Sequence, residues 1–597
     1  MKLNYHLPLV LLGSAAPLVC QAADESRPNV IIVITDDQGK GDLGCLGNDI
    51  VQTPNIDKHY EESVRLNNFH VSPTSGPTRS AIMTGRFTNR TSCYHTIGGR
   101  DKIYEDERLM PQYFAEAGYK TAMYGKWHLG DNYPYRPEDR GFQEVIRHGG
   151  GGIGQGPDYW GNDYFDDTYW HNSVPQKYEG YCTDVFFGEA MKFIEKSQDD
   201  PFFCYISLNA PHGPLHLPEK YYNIYKDADV ADDVKRFYGM ITNIDDNFLL
   251  LENKLEELGI ADNTILIFMT DNGTATGRLA NDGGMRGHKN SEYEGGHCVP
   301  FFMRWPDGDL VGGRDVDRLT AHIDMLPTLA HLCGVKVTPP KPLDGENITP
   351  LLLDPLAEWE QRVLVTDSQR LQNPVKWRKS ATMGDYWRLI NGEELYDLRD
   401  DKMQERDIAA ENPEVVAWLR TAYEAWWASL DTDNLAQKYP YSWVGSAYEN
   451  PVRISAHELF SLGLSNMWHQ NGSLRPTPSK GIFKIRFVTA GKYKITICRY
   501  PLESGHTINE EVAAVEPTLE VNSPLPPSNG VVMTKAHLRF AELMDDKEAV
   551  NFKEVQPTDR GVEFIYDADE GLFDLEAYFT DEDGRFYTAN YLYFEKL

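Results

Sequence analysis

The fold is indicated most clearly by Val30-Ile-Ile-Val-Ile-Thr35, which leads directly into Asp36-Asp37. Its unbroken run of β-branched apolar residues is typical of a strand that is buried on both faces of a parallel sheet. Phe202–Leu208 and Thr264–Met269 have the same character, and Thr121–Tyr124 is a shorter candidate. These segments predict that a mostly parallel sheet forms the centre of the chain.

Amphipathic helical stretches lie between the candidate strands. Arg108–Ala117 and Asp184–Lys196 are two of them, and Asp233–Leu258 is the strongest, with one apolar stripe and Gly259 as a stop signal. Alternating strands and helices favour a parallel sheet whose two faces are covered by helices. The predicted fold class is therefore α/β, with a large, mostly parallel sheet sandwiched by helices.

The chain is long enough for several folded units. Its 597 residues are 41% hydrophobic, and domains typically contain about 100–200 residues. We predict an α/β domain over residues 23–355 and a smaller α+β subdomain over residues 356–438, which ends in the helix Glu414–Leu430.

Residues 439–597 differ in character, because short segments there alternate apolar and polar residues. Gly481–Val488 and Lys492–Arg499 flank a turn at Gly491, and this arrangement predicts a β-hairpin. Further strand candidates are Val562–Tyr566, Leu572–Phe579 and Tyr587–Phe594. We predict a β-rich accessory module that forms a small sandwich.

The net charge limits the class of partner. Lys and Arg number 58 against 90 Asp and Glu, which gives a formal net charge of −32. A field of this sign repels phosphate backbones, so nucleic-acid or anionic-membrane binding is not expected as the main function. An anionic substrate would need cationic side chains gathered at its site.

Residues 1–22 are predicted to be an export signal. Lys2 precedes the short apolar run Leu7–Leu12, and Cys20-Gln-Ala22 offers small residues for cleavage. The run is shorter than the about 20 residues that span a bilayer, and Pro17-Leu-Val is a poor approach to a lipid-accepting Cys20. We expect a periplasmic or secreted protein without a membrane span or a lipid anchor. The other cysteines are scattered, which indicates small buried hydrophobes or at most a few bridges.

Acidic and amide residues follow two of the candidate strands. Asp36 and Asp37 follow the first strand, and Asp271 and Asn272 follow Thr264–Met269 after one residue. Ligands of open α/β sheets bind outside the carboxyl ends of the strands, and bare carboxylates this close together would repel strongly. Oxygen ligands without His or Cys select Ca²⁺ or Mg²⁺, and the mixed set favours Ca²⁺. The alternative is two unrelated loop starts with solvated acids.

Basic residues follow the other two candidate strands. Lys126 and His128 come after Thr121–Tyr124, and His212 comes after Phe202–Leu208. A single histidine is more often structural than catalytic, and His212 could simply belong to a rigid turn. All four strand ends, however, are expected to open on the same edge of one sheet.

A helix start supplies the third element of the candidate site. Pro77 suits a first helical turn and Gly85 suits its end, so Ser75 is expected at the helix N-terminus, where free N–H groups favour an anion. Arg79 lies about one turn further on and can point back to the same place. An ordinary Ser or Thr cap is the alternative for this helix start.

These residues resemble a known family. Ser75-x-Pro77-x-Arg79, followed by Met83-Thr84-Gly85-Arg86, resembles the signature of the type I sulfatases, within the alkaline-phosphatase-like superfamily. The resemblance spans about residues 27–430, and the later module resembles extensions of some bacterial members. The agreement extends to Asp36-Asp37, Gly125-Lys-Trp-His-Leu-Gly130, Pro211-His212, Asp271-Asn272-Gly273, Lys289 and Glu294-Gly-Gly296.

The resemblance implies a formylglycine-dependent sulfuric ester hydrolase that uses Ca²⁺. Residue 75 would be the nucleophile, a Cys or Ser that a formylglycine-generating maturation enzyme oxidises. Ser75 fits the bacterial branch matured from serine, or a Cys→Ser substitution. The implied Ca²⁺ ligands are Asp36, Asp37, Asp271 and Asn272, and the implied residues around the sulfate are Arg79, Lys126, His128, His212 and Lys289.

Within that family, an exported member is expected to act on a sulfated saccharide. The stretch after the glycine-rich segment Gly149–Gly156 is dense in aromatic and hydrogen-bonding residues that suit a sugar. Asp158, Asn162 and His171 are the substrate-binding candidates in it. The alternative is an insertion that packs on itself.

Two other functions stay open at this point. One is a phosphatase or phosphodiesterase of the same superfamily, whose usual two-zinc site needs several His and Asp ligands. The other is a non-catalytic glycan-binding protein in which Ser75 is never oxidised.

Overall fold

The computed structural model describes residues 27–430, 438–460, 468–542 and 545–597, with no side-chain description for residues 541–550. The predicted export signal, residues 1–22, lies outside these ranges. No helix within them has the length and apolar character that a membrane span requires. The described cysteines are all unbridged, and all but Cys45 are buried.

The first part of the chain folds around a ten-stranded sheet with the order β11-β2-β10-β9-β1-β8-β4-β5-β6-β7. Strand β1 pairs in parallel with β8 and β9, and β4 pairs in parallel with β8 and β5. On one side of this parallel centre β10 pairs antiparallel with β9 and β2, and β11 pairs in parallel with β2. On the other side β6 pairs antiparallel with β5 and β7. The strands up to residue 321 are β1 (Asn29–Thr35), β2 (Val64–Leu66), β3 (Phe69–His70), β4 (Lys120–Gly125), β5 (Glu144–Arg147), β6 (Thr168–His171), β7 (Val174–Lys177), β8 (Phe202–Ser207), β9 (Thr264–Thr270), β10 (Phe301–Arg304), β11 (Asp315–Val316) and β12 (Thr320–Ala321).

Helices cover both faces of this sheet. Alternate residues of β1 enter different cores: Ile32 packs on one face, whereas Ile31 and Val33 pack on the other. The α/β prediction is confirmed, and the helix predicted at Asp233–Leu258 forms over Asp232–Glu257. The helices are α1 (Pro54–Glu62), α2 (Ser75–Thr84), α3 (Met110–Glu116), α4 (Cys182–Ser197), α5 (Glu219–Tyr225), α6 (Asp232–Glu257), α7 (Glu294–His297), α8 (Met325–Leu332), α9 (Thr349–Leu353), α10 (Pro413–Ser429) and α11 (Asn471–Leu474).

A four-stranded antiparallel sheet follows, and α10 packs on it through Leu419, which contacts a core with Leu389 and Leu395. Arg388 of this sheet forms a buried ion pair with Glu294 of α7, with Nε 2.5 Å from Oε1. This pair ties the smaller sheet to α7, the short helix that precedes β10 of the large sheet. Its strands are β13 (Leu364–Asp367), β14 (Ser380–Met383), β15 (Trp387–Ile390) and β16 (Glu394–Asp397).

The last part of the chain is a β-sandwich, as predicted. One sheet runs β17-β19-β24-β21-β22 with β25 beside β24, and the other runs β18-β26-β20-β23. Both sheets contribute to one core, for example Phe487 from the first and Ile495 from the second. The strands are β17 (Ser442–Val444), β18 (Val452–Ser455), β19 (Phe483–Phe487), β20 (Gly491–Cys498), β21 (Lys535–Glu542), β22 (Asp545–Glu554), β23 (Val562–Ala568), β24 (Gly571–Thr580), β25 (Phe586–Thr588) and β26 (Tyr591–Lys596).

The predicted hairpin around Gly491 is wrong. Strand β19 pairs with β17 and β24 in one sheet, whereas β20 pairs with β23 and β26 in the other. The chain therefore crosses from one layer of the sandwich to the other at Gly491. Alternating polarity shows which face of a strand is buried, but it does not identify the strand's hydrogen-bonding partner.

Candidate active site

Neighbouring strands bring the acidic residues together. Thr35 and Thr270 are in register at the ends of β1 and β9, so Asp36 and Asp271 follow side by side. The backbone N–H of Asp271 donates to the carbonyl of Thr35 at 3.0 Å, and the N–H of Asp37 donates to Asp271 Oδ1 at 3.2 Å. Oxygens of these three buried carboxylates lie within 4.8 Å of one another. The structure thus forms the cluster that the strand ends predict.

Ser75 lies at the entrance of α2 and faces this cluster. It is the first residue of a helix whose ten residues are all buried. Its Oγ is 3.0 Å from Asp36 Oδ1 and 3.3 Å from Asn272 Oδ1. The side chain of Thr74 does not cap this helix. The N-terminal end of the helix, which carries a partial positive charge, and the hydroxyl of Ser75 therefore both lie next to the acidic cluster.

Three cationic side chains pair with the three carboxylates. Arg79 Nη2 lies 2.8 Å from Asp271 Oδ2, and Lys289 Nζ lies 2.6 Å from Asp37 Oδ1. Lys126 forms an ion pair with Asp36. Each cation comes from a different segment of the chain, as the sequence motifs predict.

The pKa values of the carboxyl groups follow from burial and from these pairs. Burial acts to raise the pKa of Asp36, but Lys126 and His212 overcome it and the pKa is lowered. Lys289 and His212 similarly lower the pKa of Asp37 against the effect of burial. The pKa of Asp271 is raised, because burial and the charge of Asp36 outweigh Arg79. The cluster therefore contains one carboxylate whose charge the side chains do not fully stabilise.

The donor set fits a hard divalent cation. Three carboxylates provide oxygen ligands, and the side chain of Asn272 contacts the same group, with Nδ2 2.9 Å from Asp37 Oδ1. A nearby divalent charge would favour the ionised form of Asp271, which burial disfavours. Oxygen donors of this kind are typical Ca²⁺ ligands.

His128 is held as a neutral imidazole. Its Nε2 lies 2.9 Å from the carbonyl oxygen of Thr96, which can only accept, so Nε2 carries the proton. Its Nδ1 is buried without a hydrogen-bond partner among the described residues. Burial and the charge of Lys126 keep its pKa well below the ordinary value. Gly151 makes room for the ring, since a Cβ there would lie 2.4 Å from His128 Cε1.

His212 lies where the site opens to solvent. Its Nδ1 is 2.7 Å from the carbonyl oxygen of Gly213, and its Nε2 is 3.8 Å from Asp37 Oδ2. The side chain keeps 22% of its surface exposed, whereas that of Asp36 is fully buried. Burial and Lys289 lower the pKa of His212.

A cavity of about 860 Å³ begins at His212. Of the sequence-predicted substrate residues, only Asn162 lines it, and its amide is already bonded to Asp158 and to the carbonyl of Thr168. Asp158 is completely buried and accepts hydrogen bonds from backbone N–H groups of the glycine-rich segment. His171 is in β6, away from the cavity wall, and contacts Gln176. Asp158 therefore fixes the conformation of the glycine-rich segment Gly149–Gly156.

Several residues near the site could not be predicted from the sequence. The far wall of the cavity includes Trp468 and His469, which belong to the C-terminal part of the chain and carry no recognisable motif. Arg370, just after β13, lies close enough for the charge of Asp37 to affect its pKa. These residues lie near the site because distant parts of the chain pack together, and their local sequence gives no signal of it.

Comparison with known proteins identifies the family of this chain. A sequence profile of the family described as Sulfatase matches residues 28–335. N-acetylgalactosamine-6-sulfatase of Sus scrofa is 30% identical over 376 residues, which cover 59% of this chain and 70% of that protein. The Ulvan-active sulfatase of Formosa agariphila is 28% identical, with 61% of this chain and 74% of that protein covered.

Solved structures show the same architecture. Ps i-CgsB in complex with k-i-k-neocarrahexaose has a TM-score of 0.61 and 26% sequence identity, covering 70% of this chain and 96% of that one. The profile match alone spans just over half of the 597 residues. The chain belongs to the sulfatase family, within the alkaline-phosphatase-like superfamily, and is an enzyme that hydrolyses sulfate esters.

Proposed function

We propose that this enzyme removes an O-sulfate group from a saccharide, with Ca²⁺ at the acidic cluster and with residue 75 oxidised to formylglycine. The observation that carries the proposal is the position of Ser75. Its Oγ lies at the N-terminus of a buried helix, 3.0 Å from Asp36 Oδ1. Arg79, Lys126 and Lys289 are paired to the same acidic cluster.

The cations and the helix start suit a sulfate monoester. Such an ester is a stable anion, and negative charge builds up on the departing oxygen when its S–O bond breaks. Preorganised cations and backbone dipoles stabilise that charge without having to reorient during the reaction. Arg79 and Lys126 are completely buried, so solvent weakens their effect little.

The cation site would be formed by Asp36, Asp37, Asp271 and Asn272. A Ca²⁺ ion held by these residues would supply positive charge that stabilises the negative charge of the sulfate group. Lys126 and Lys289 keep Asp36 and Asp37 ionised, because they lower the pKa of those carboxyl groups. Ionised carboxylates are the form that binds a metal.

Residue 75 needs the modification for turnover. A sulfated serine would itself be a stable ester, whereas the hydrate of formylglycine has a second hydroxyl that allows the sulfate to be expelled, so one difficult step becomes two. His128 would accept the proton of that hydroxyl at Nδ1, the nitrogen that has no partner in the described part of the chain. Its lowered pKa keeps this nitrogen unprotonated at neutral pH.

His212 would donate a proton to the departing oxygen. Its Nδ1 is fixed by the carbonyl of Gly213, which leaves Nε2 for the substrate side. Lys289, which pairs with Asp37 beside it, would assist by stabilising the developing charge.

The saccharide as substrate is supported by the relatives and by the cavity. The names of two relatives specify N-acetylgalactosamine 6-sulfate and ulvan, and a solved relative holds a neocarrahexaose. The cavity at His212 has aromatic and hydrogen-bonding walls, which suit sugar rings and hydroxyls. We further propose a periplasmic or secreted enzyme that a formylglycine-generating enzyme matures, with its catalytic unit over residues 23–438 and an accessory module over residues 439–597.

Release of inorganic sulfate tests the proposal. Protein from its native host is incubated with 4-nitrophenyl sulfate and with N-acetylgalactosamine 6-sulfate. We expect sulfate release from both, and loss of release in Ser75→Ala. The variant Ser429→Ala is the matched control and is expected to keep full activity. Ser429 is on α10, and among the described residues its hydroxyl bonds to its own helix and to Arg90. Phosphate release from 4-nitrophenyl phosphate with no sulfate release would instead indicate a phosphatase.

A further inference from the structure

The cavity at His212 has two walls from different parts of the chain. The catalytic part contributes the segment Ile153–Asp163, and the sandwich part contributes residues 468–477 and 512–525. At about 860 Å³ it lies towards the upper end of the range of about 300–1,000 Å³ for clefts that bury drug-sized ligands. Because His212 faces the departing oxygen in the proposed function, this cavity is where the leaving alcohol would lie.

The wall formed by the sandwich part is fixed in place by a buried glutamine. Gln470 is fully buried, and its Nε2 donates to the carbonyl of Tyr159 at 3.0 Å, while its Oε1 accepts from the N–H of Gly161 at 3.1 Å. The backbone adds two further bonds, from the Gln470 N–H to the Gly154 carbonyl and from the Gly156 N–H to the Trp468 carbonyl. Residues 468–470 are thus bound to the glycine-rich segment as an added strand would be.

A second contact holds the longer loop of the same wall. His216 Nε2 lies 3.0 Å from Ser523 Oγ, and the N–H of Leu217 donates to the carbonyl of Glu520 at 3.2 Å. Arg236 of α6 donates to the carbonyl of Leu519 at 2.8 Å. The two segments that form this wall, 468–470 and 519–523, are therefore both hydrogen-bonded to the catalytic part, which gives the cavity a defined shape.

The residues on this wall have the chemistry of a sugar site. Trp468 keeps 41% of its surface exposed, and Trp160 lines the cavity from the catalytic part. His469 forms the wall next to Gly154, and burial and His212 lower its pKa to about 4, so it is a neutral hydrogen-bonding group. Aromatic rings pack on sugar faces, and neutral polar groups bind hydroxyls.

Arg475 adds a positive charge. It is the only Arg or Lys among the described residues that line the cavity. Its Nε donates to the carbonyl of Pro527 at 3.1 Å, and its two Nη groups have no partner within the described part of the chain. In a protein with a net charge of −32, a guanidinium at this position is suited to a carboxylate or sulfate group.

We propose that segment 468–475 of the sandwich is the substrate-recognition element, in which Trp468 and His469 hold the sugar ring of the leaving group and Arg475 binds an acidic group on the neighbouring sugar. The inference rests on the proposed function for the direction of the leaving group. It gives the C-terminal sandwich a role in selecting acidic oligosaccharides over single sulfated sugars.

The test measures binding, so it does not depend on turnover. All proteins carry Ser75→Ala, and calorimetry measures the affinity for N-acetylgalactosamine 6-sulfate and for a chondroitin 6-sulfate tetrasaccharide, which carries carboxylates beside the sulfated sugar. Arg475→Gln should weaken binding of the tetrasaccharide about tenfold, the effect expected for a lost charged hydrogen bond, and should leave the monosaccharide unchanged. Arg475→Lys should recover part of the loss. Trp468→Ala should weaken both ligands.

Matched controls come from exposed residues of the sandwich that do not line the cavity. Arg585→Gln and Phe552→Ala remove side chains that are more than half exposed, and neither should change binding. Equal affinities for Arg475→Gln and Arg585→Gln, or no binding of either ligand by the parent protein, would overturn the inference. Failure of the proposed function is distinct, since it would appear as absent hydrolysis of 4-nitrophenyl sulfate by the protein with residue 75 intact.

Discussion

Replacing Gly151 by alanine is expected to abolish most activity by displacing His128. A Cβ at position 151 would lie 2.4 Å from Cε1, 2.5 Å from Nε2 and 2.8 Å from Nδ1 of the His128 ring. Carbon atoms in contact are normally about 3.5–4.0 Å apart, so the ring must move by about 1 Å. A misplacement of that size can cost about 100-fold in rate.

The backbone of His128 restricts how its ring can move away from the added methyl group. His128 has a left-handed φ of 60°, a conformation that is costly for a non-glycine residue. Its ring is also bonded to the Thr96 carbonyl. We therefore expect the ring to give way together with its hydrogen bond, with a fall of about 1–3 kcal/mol in the free energy of unfolding, as for other overpacked sites.

The assay compares kcat for 4-nitrophenyl sulfate with stability from urea unfolding. Gly188→Ala is the matched control, because a Cβ there meets nothing within 4 Å in the middle of α4. That variant should keep its kcat and gain about 0.5–1 kcal/mol of stability from helix propensity. A Gly151→Ala enzyme with wild-type kcat and a correctly folded structure would refute the role of the His128 ring.

Three further predictions follow from the same geometry. For sugar sulfates, kcat/KM should fall as the pH rises through the pKa of His212, because burial and Lys289 lower that pKa and make the protonated form scarce. His212→Asn should remove this slope, and a slope that survives would exclude the general acid. Chelation by EGTA should abolish activity and lower the free energy of unfolding by about 2–3 kcal/mol, the effect of losing a ligand present at about 100 times its Kd. Added Ca²⁺ should restore both activity and stability, whereas recovery with Zn²⁺ alone would contradict a site made of oxygen ligands. Arg388→Met should lower the free energy of unfolding by about 3–5 kcal/mol at pH 7, because it leaves Glu294 charged and buried. Arg388 lowers the pKa of Glu294, so in the variant this carboxyl group should be protonated more easily and the loss of stability should shrink below about pH 5. A loss that urea unfolding shows to be independent of pH would contradict this.

The sheet and the acidic cluster could be predicted from the sequence because both depend on local patterns. A buried parallel strand is apolar along its whole length, and its carboxyl end lies at a known edge. Asp36 and Asp271 are adjacent for that reason, and their strands have the register that brings Thr35 opposite Thr270. The helix that begins at Ser75 also has local signals, in Pro77 and Gly85.

The wall of the cavity could not be predicted, because it depends on contacts between distant residues. Gln470 bonds to carbonyl groups more than 300 positions earlier in the chain, and no periodic pattern identifies such a partner. Asp158 illustrates the same limit. The composition of the segment around it suits a sugar ligand, but its carboxylate oxygens accept hydrogen bonds from backbone N–H groups of its own loop. The layer change at Gly491 was missed for the same reason, since strand partners are chosen by packing across the sandwich.

The mass of the peptide that contains residue 75 shows whether this serine is oxidised to formylglycine. Trypsin is expected to release Leu66–Arg79 from the enzyme purified from its native host. We expect this peptide to be two hydrogen atoms lighter than its sequence mass, as the aldehyde requires, or heavier than the aldehyde by one water molecule, as its hydrate requires. An enzyme that releases sulfate at its full rate with residue 75 present only as unmodified serine would contradict it.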